Sequence, residues 1–425
     1  MEHGLDTQLL AIVAAAVAAW TLVGARLQRW NVSAPIAFVV VGLVVANRPL
    51  ELVDVSVGSS ALRTLAELTL AVLLFSDAAR VNLRELRRDA GVPTRLLVIG
   101  LPLTIAFGTV AAAALFSGLD IWVAAVIAAA VAPTDAALGA QVVQDRHVPG
   151  RIRRTLNVES GLNDGVATPF VSFFVAAAVS ELSSQPGTSV AGAVGDLAIG
   201  AATGVAVGLG AAFLLRVVRR AGWAADSSRG VAVLAFAVLG YAVALELGAN
   251  GFVAAFVAGL AFGSAFDAAE RDADIEFDAQ VGEVLSWVIW FLFGAVMTTA
   301  LEAAGWRTVV FAVAALTVVR IAAVALGLIS TRLHALTVLF IGWFGPRGLA
   351  SIVFGLIAYD ALGPQDGEVV LAAVALTVLL SVVAHGISAA PLARRYGARV
   401  ADTDRSRPEH VAVRALATRS RLTTG

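Results

Sequence analysis

The stretch AVAPTDAALGAQ, residues 130–141, lies inside an otherwise apolar run and carries Pro133, Thr134, Asp135 and Gly139 near its middle. Proline removes a backbone donor and clashes with the preceding turn, and glycine weakens a helix further. The spacing predicts a helix interrupted at its centre, with a carboxylate at the interruption. A second stretch, IGWFGPRGLAS at residues 341–351, places Gly345, Pro346, Arg347 and Gly348 in the same way. Backbone broken at membrane depth is tolerated only where protein or a water-filled cavity surrounds it.

Composition sets the frame for these two segments. The 425 residues are 59 % hydrophobic and 14 % charged, whereas soluble chains average nearer a quarter charged. Several apolar runs reach the roughly 18–20 residues that cross a bilayer as helix. The chain has no cysteine, which excludes disulfides, thiolate metal sites and thiol catalysis. The start, MEHGLDTQLLAIV, lacks the basic region and cleavage site of a signal peptide, so the first apolar run reads as a retained span. Thirteen spans are expected, near 8–25, 32–47, 61–76, 95–116, 119–144, 156–181, 189–218, 230–247, 249–265, 281–300, 306–330, 335–358 and 368–393. Residues 1–397 form one transmembrane unit, and 398–425 form a short polar tail.

All thirty basic residues are arginine, and twenty-five of them fall in the loops after odd-numbered spans or in the tail. Arg48, Arg63 and Arg307 occupy the opposite loops, while Arg320 and Arg347 fall inside spans. By the positive-inside rule the C-terminus is cytoplasmic and the N-terminus outside. Spans one to six and eight to thirteen then make two halves of opposite orientation, each interrupted in its fifth helix. Inverted repeats with matching broken helices are the architecture of secondary transporters. The expected fold is therefore an all-α polytopic membrane protein of about 13 helices in two inverted six-helix repeats, with helices 5 and 12 broken.

Five ionisable groups are expected at membrane depth near the breaks: Asp135, Glu159, Asp164, Arg320 and Arg347. A charge at the centre of a membrane helix costs at least ~2.5–3.5 kcal/mol on insertion scales, so such groups pair or work. Two of the five, Glu159 and Asp164, lie in NVESGLNDG, residues 157–165. On a helix, Glu159 stacks one turn from Asn163, and Ser160 one turn from Asp164, so the four share one polar arc of about 140°. Asp164 and Ser160 offer oxygen ligands to one ion, and Thr134 and Asp135 at the break offer more. Carboxylate, hydroxyl and carbonyl suit a hard cation such as Na⁺, and no histidine or cysteine cluster competes for a transition metal. His385, the one histidine clearly within a span, reads as a packing residue. Arginine stays protonated, so Arg320 and Arg347 carry no proton and serve to neutralise an acid or a helix end. Pairing Glu159 with Arg320 leaves Asp164 as the principal carboxylate, with Asp135 beside it.

These residues resemble the NhaP branch of the monovalent cation/proton antiporters, related to eukaryotic sodium/proton exchangers. APTDAALGAQVV followed by RRTLNVESGLNDGVA carries the likeness. LAVLLFSDAARVNLREL, RLLVIGLPLT, VVRIAAVALG and GWFGPRGLASIVFGL follow in the family's order from about residue 20 to 395. The chain departs at Ala136, where relatives often have proline, and in GPRG, where they more often lack it. The resemblance implies a crossed pair of broken helices and a homodimer in the bilayer. It further implies a mobile core (about 61–181 and 281–393) moving against dimerisation helices (about 8–47 and 189–265). It makes Asp164 the ion- and proton-binding carboxylate, Asn163 its partner, Asp135 and Thr134 the broken-helix contributors, and Ser160 a ligand. Glu159 and Arg320 become a structural ion pair, Arg347 the charge of the second break, and Asp77 an accessory acid near the ion.

The expected activity is electroneutral exchange of Na⁺, and of Li⁺ beside it, for H⁺ across a bacterial inner membrane, with no cofactor and no enzymatic step. Electrogenic relatives carry two adjacent aspartates, where this chain has Asn163 and Asp164, and no lysine exists here. The same machine selecting K⁺ is the second reading. An intramembrane aspartyl protease using Asp135 and Asp164 as its dyad requires a G-x-G-D motif, which the sequence lacks.

Overall fold

Backbone amides inside a bilayer must find partners within the chain, and a helix supplies them segment by segment. The computed structural model describes residues 7–30, 32–47, 50–53, 55–81, 91–135, 137–183, 190–223, 225, 228–266, 268–402, 404 and 406–411. Among these residues the regular elements are all helical.

Thirteen passes follow in order. They are α1 (Thr7–Arg29), α2 (Ala34–Ala46), α3 (Ser60–Arg80), α4 (Gly91–Leu115), α5a (Ile121–Val131) with α5b (Ala140–Gln144), and α6 (Gly150–Ser183). Then come α7 (Val190–Arg220), α8 (Arg229–Glu246), α9 (Gly251–Ala265), α10 (Ala268–Ala295) and α11 (Trp306–Gly327). The last are α12a (Ala335–Trp343), α12b (349–362) and α13 (364–401). The interruptions fall in the fifth and twelfth passes, at residues 132–139 and 344–348. The fourth helix of each half, α4 and α11, also carries a π-helical turn, at Leu96–Gly100 and Ala315–Val319. Such turns cluster at functional sites, and the second ends one residue before Arg320.

Three boundaries differ most from the expected ones, and at one of them α10 already begins at Ala268, well before the expected start at 281. Helix continues through the expected loop at 359–367 and reverses at Gly363 alone, whose φ of 76° and ψ of 179° are open only to glycine. At the other end α13 runs to residue 401, beyond the expected limit at 393. Its arginines reach water along their own stems, so nothing stops the helix at the membrane surface. Ala136, Arg48, Arg84, Arg87, Arg88, Arg405, Arg414, Arg419 and Arg421 lie outside the described residues.

Contacts between loops follow the alternation of the arginines. On the arginine-rich side Arg95 donates to Ile329 O at 2.6 Å, and Arg229 lies 3.5 Å from buried Asp274. On the other side Arg63 meets Asp360 and Glu67, and Arg307 donates to Ser117 at 2.8 Å. Small residues bring the helices between these two layers to backbone distance, the usual device where lipid removes the hydrophobic drive. A Cβ at Gly259 or Gly263 of α9 would lie 2.3 or 2.1 Å from Phe75 O or Ala79 O of α3. Gly42 of α2 and Gly294 of α10 notch each other's backbones in the same way.

After α13 the chain turns back and seats a 3-10 turn, Pro408–His410, on the arginine-rich face. Glu409 is 1 % exposed; its Oε1 accepts the His334 backbone N–H at 2.6 Å and the Thr337 hydroxyl at 2.8 Å. Arg151 donates to Pro408 O at 3.0 Å. A carboxylate there answers the open amides and positive end of α12a. Glu409→Ala takes the acceptor from the buried Thr337 hydroxyl and the half-buried His334 N–H, a loss of about 1–3 kcal/mol. Thermal unfolding in detergent should move down for Glu409→Ala and less for Glu409→Gln, which keeps an acceptor.

Candidate functional site

A helix broken in mid-span leaves unpaired carbonyls at one end and unpaired amides at the other, and water is not there to meet them. The two breaks here meet each other. Beyond α5a, Arg347 donates to Ala132 O and to Pro133 O, the latter at 3.1 Å. The Asp135 N–H donates to Pro346 O at 2.7 Å. The Asp135 carboxylate accepts from Ala137 N at 2.7 Å, Leu138 N at 3.2 Å and Leu349 N at 3.2 Å. One carboxylate thus serves the turn into α5b and the first residue of α12b together. Gly348 makes room for it, since a Cβ there would fall 1.9 Å from Asp135 Oδ2.

The remaining end is held from α13. His385 Nε2 lies 2.7 Å from Trp343 O, the last residue of α12a, and its Nδ1 lies 2.8 Å from Ser381 O. The Ser381 hydroxyl accepts the Arg347 backbone N–H at 2.7 Å. An i,i+4 pair on α13 therefore spans the gap in α12. The sequence reading treated His385 as packing and did not single out Ser381. The S-x-x-x-H spacing was the available signal.

Arg320 Nη2 donates to Glu159 Oε1 at 2.6 Å, and both side chains are about 1 % exposed. Beside this pair three uncharged groups converge. Asn163 Nδ2 donates to Thr134 Oγ1 at 2.5 Å, and Thr134 Oγ1 lies 3.0 Å from Ser160 Oγ. The polar arc of α6 therefore divides differently from the stacking expected along the helix. Ser160 and Asn163, three residues apart, both turn to the α5 break, while Glu159 turns to α11. Glu159 Oε2 and Asn163 Oδ1 remain buried without a partner among the described residues.

Asp164 is half-buried on the next position of the same helix, with its carbonyl accepting from Thr168 at 2.8 Å. Gly165 lets α6 close on α9, because a Cβ there would strike the Phe256 ring at 2.1 Å. Asp77 is half-buried in the last turn of α3, on the arginine-rich side. On that side a cavity of about 280 Å³ reaches the α5b turn. Gln28, Gln141, Gln144, Asn157 and Glu283 give it a polar lining. Glu283 lies in the same wall, one turn before Trp287 and two turns before Trp290 of α10.

An all-helical polytopic chain whose fifth and twelfth passes break and cross at buried charges has the build of a secondary transporter. The chain belongs to the family described as "Sodium/hydrogen exchanger, transmembrane", whose model it matches over residues 12–395. It is 25 % identical over 337 residues to the K⁺/H⁺ antiporter NhaP of Alkalimonas amylolytica, covering 78 % of this chain and 57 % of that protein. It is 27 % identical over 359 residues to the Na⁺/H⁺ antiporter NhaP of Pseudomonas aeruginosa, covering 77 % of this chain and 79 % of the relative. A probable Na⁺/H⁺ antiporter of Schizosaccharomyces pombe is 25 % identical, and the chain spans 42 % of its length. In fold it is similar to the sodium proton antiporter MjNhaP1 from Methanocaldococcus jannaschii, with a TM-score of 0.74 at 19 % identity, over 92 % of this chain and 99 % of that one.

Two substitutions test how the site is held. Arg320→Ala leaves Glu159 buried and unpaired, a loss of about 3–5 kcal/mol. The expected result is less folded protein at lower thermal stability; normal stability with lost transport would make Arg320 a direct participant instead. Gly348→Ala drives a methyl into the Asp135 carboxylate and should lower stability and transport together. Gly305→Ala, at a position with open space around it, is the matched control.

Proposed function

We propose that this protein exchanges one Na⁺ for one H⁺ across a bacterial inner membrane, with Asp164 holding either cation in turn. The observation that carries the reading is the engagement of Asp135. Its carboxylate already accepts three backbone N–H groups from two half-helices, so its charge belongs to the scaffold. The other intramembrane acid, Glu159, is met by Arg320. Asp164, half-buried and next to Asn163 on α6, is the acid this reading assigns to the cargo. A desolvated carboxylate gains from a cation or a proton, and one carboxylate exchanging the two moves no net charge. Membership in the exchanger family and the naming of several relatives as antiporters support the same reading.

On this reading the arginine-rich side is cytoplasmic, with the N-terminus outside, and the cavity beside Glu283 is the cytoplasmic vestibule. Alternating access follows from movement of a core containing α3–α6 and α10–α13 against α1, α2 and α7–α9. The seams α2/α10 and α3/α9 meet backbone to backbone at glycine, with Phe38 stacked on Trp287 and Phe75 against Phe262 beside the contact points. A second copy binds through α1 and α7, which present apolar exposed faces, Leu22 at 84 % and Phe213 at 64 % exposed. Asp77 is an accessory acid near the vestibule. Li⁺ is accepted with Na⁺. Selection of K⁺ is the competing reading, favoured by the K⁺/H⁺ antiport in the name of the Alkalimonas relative.

The test is exchange in proteoliposomes with an internal pH dye, an imposed pH gradient, and Na⁺, Li⁺ or K⁺ added in turn. Na⁺ and Li⁺ should collapse the gradient and K⁺ should not. Asp164→Asn should abolish the response, and intact exchange in that variant would overturn the assignment. Clamping the membrane potential should leave the rate unchanged, and stimulation by a potential would sink one-for-one exchange. A response to K⁺ alone would establish the second reading.

A further inference from the structure

Between α11, α12a and α13 lies a groove of about 420 Å³ that the ion pathway does not use. This volume falls within the roughly 300–1,000 Å³ of small-ligand sites. Leu336, Leu339, Trp343 and Leu392 line its length, and Leu339 is 50 % exposed toward the outside of the molecule. Its floor is rigid, because Tyr396 stacks on Phe340 with ring centroids 4.0 Å apart. Leu336 is the second residue of α12a at its arginine-rich end, and Trp343 ends that helix at the break. The groove therefore runs inward from headgroup depth by roughly 10 Å at 1.5 Å per residue.

Arg395 and Arg399, one turn apart on α13, stand at the mouth. Both are exposed, and neither has an ion pair or hydrogen bond among the described residues. No acidic residue lines the groove. Two free guanidinium forks above an apolar trough match a phosphate above an acyl chain. A zwitterionic headgroup would bring its own cation to the same forks, and a soluble anion would leave the trough unused.

We infer that this groove is a binding site for one anionic phospholipid of the leaflet on the arginine-rich side, its phosphate held by Arg395 and Arg399 and an acyl chain laid along α12a. The site needs only that this end of α13 sit at headgroup depth, and it stands apart from the exchange reaction. Its position also gives the lipid a hold on the broken helix. Trp343 is the residue whose carbonyl faces His385, and Ile321 of the groove wall follows Arg320 in the chain.

The experiment measures lipid retained on the purified protein by native mass spectrometry, with phosphatidylglycerol and phosphatidylcholine supplied at equal concentration. Each arginine near a phosphate contributes of order a fewfold in affinity, so the pair predicts roughly tenfold or greater retention of phosphatidylglycerol. Arg395→Gln with Arg399→Gln should bring the ratio close to one while leaving thermal unfolding in phosphatidylcholine unchanged. Leu339→Trp, which narrows the trough, should lower retention of both lipids. Equal retention by the unsubstituted protein overturns the inference, as does a preference that survives loss of both arginines. Displacement of the lipid by millimolar glycerol phosphate would mark a soluble-anion site instead. Should the double variant fail to fold, the wild-type ratio and the Leu339→Trp variant still decide. None of these readouts involves ion exchange, so failure of the antiport reading leaves them intact.

Discussion

The structure depends on a single carboxylate placed where two helices begin. Asp135 receives amides from the turn into α5b and from the start of α12b, where Leu349 lies 214 residues further along the chain. Around it each of the other helix ends finds a side chain of the fitting charge or polarity. Arg347 covers the carbonyls after α5a, and His385 with Ser381 covers both lips of the α12 gap. A half-helix end carries about half an elementary charge, and left bare in the bilayer these ends would be untenable. The crossing is thus a closed electrostatic unit, and breaking one member exposes the others.

Closure of that unit shapes what the neighbouring residues can do. Asp135 and Arg347 are committed to backbone and Glu159 to Arg320, and against them lies a small uncharged cluster of Thr134, Ser160 and Asn163. Thr134 belongs to the break and to the cluster at once, and through it Ser160 and Asn163 of α6 feel any displacement of α5. Position in the site and integrity of the fold are coupled by covalent continuity over two residues.

How much of this could be read in the sequence varies with the range of the interaction. The breaks were legible because Pro133, Gly139, Gly345, Pro346 and Gly348 act locally on the backbone. Which loops meet was legible where Arg95 reaches Ile329 and Arg307 reaches Ser117, because arginine alternates without lysine to blur the pattern. Glu159 and Arg320 could be matched by accounting for buried charge, and the two side chains do meet. The sharing of Asp135 between two helices was not legible, since Leu349 N is far away in the chain and backbone donors leave no mark in a sequence. The meeting of Asn163 with Thr134 was not legible for a related reason. Helical stacking ranks neighbours on one helix, whereas a close hydroxyl on another helix outweighed it at Asn163. Gly363 escaped because GPQDG looks like any polar loop, and only the backbone angles reveal a one-residue reversal.

The glycine seams have a practical side. Where Gly259 and Gly263 meet α3, and Gly42 meets α10, the backbones run so close that thiols set just beside the seam, rather than in it, would span the geometry of a disulfide. The chain contributes no thiol of its own, so any such engineered pair reacts without background. Oxidative cross-linking at successive positions along α3 and α9 thereby becomes a ruler for sliding between the two helices, read on a gel and without reference to the ion.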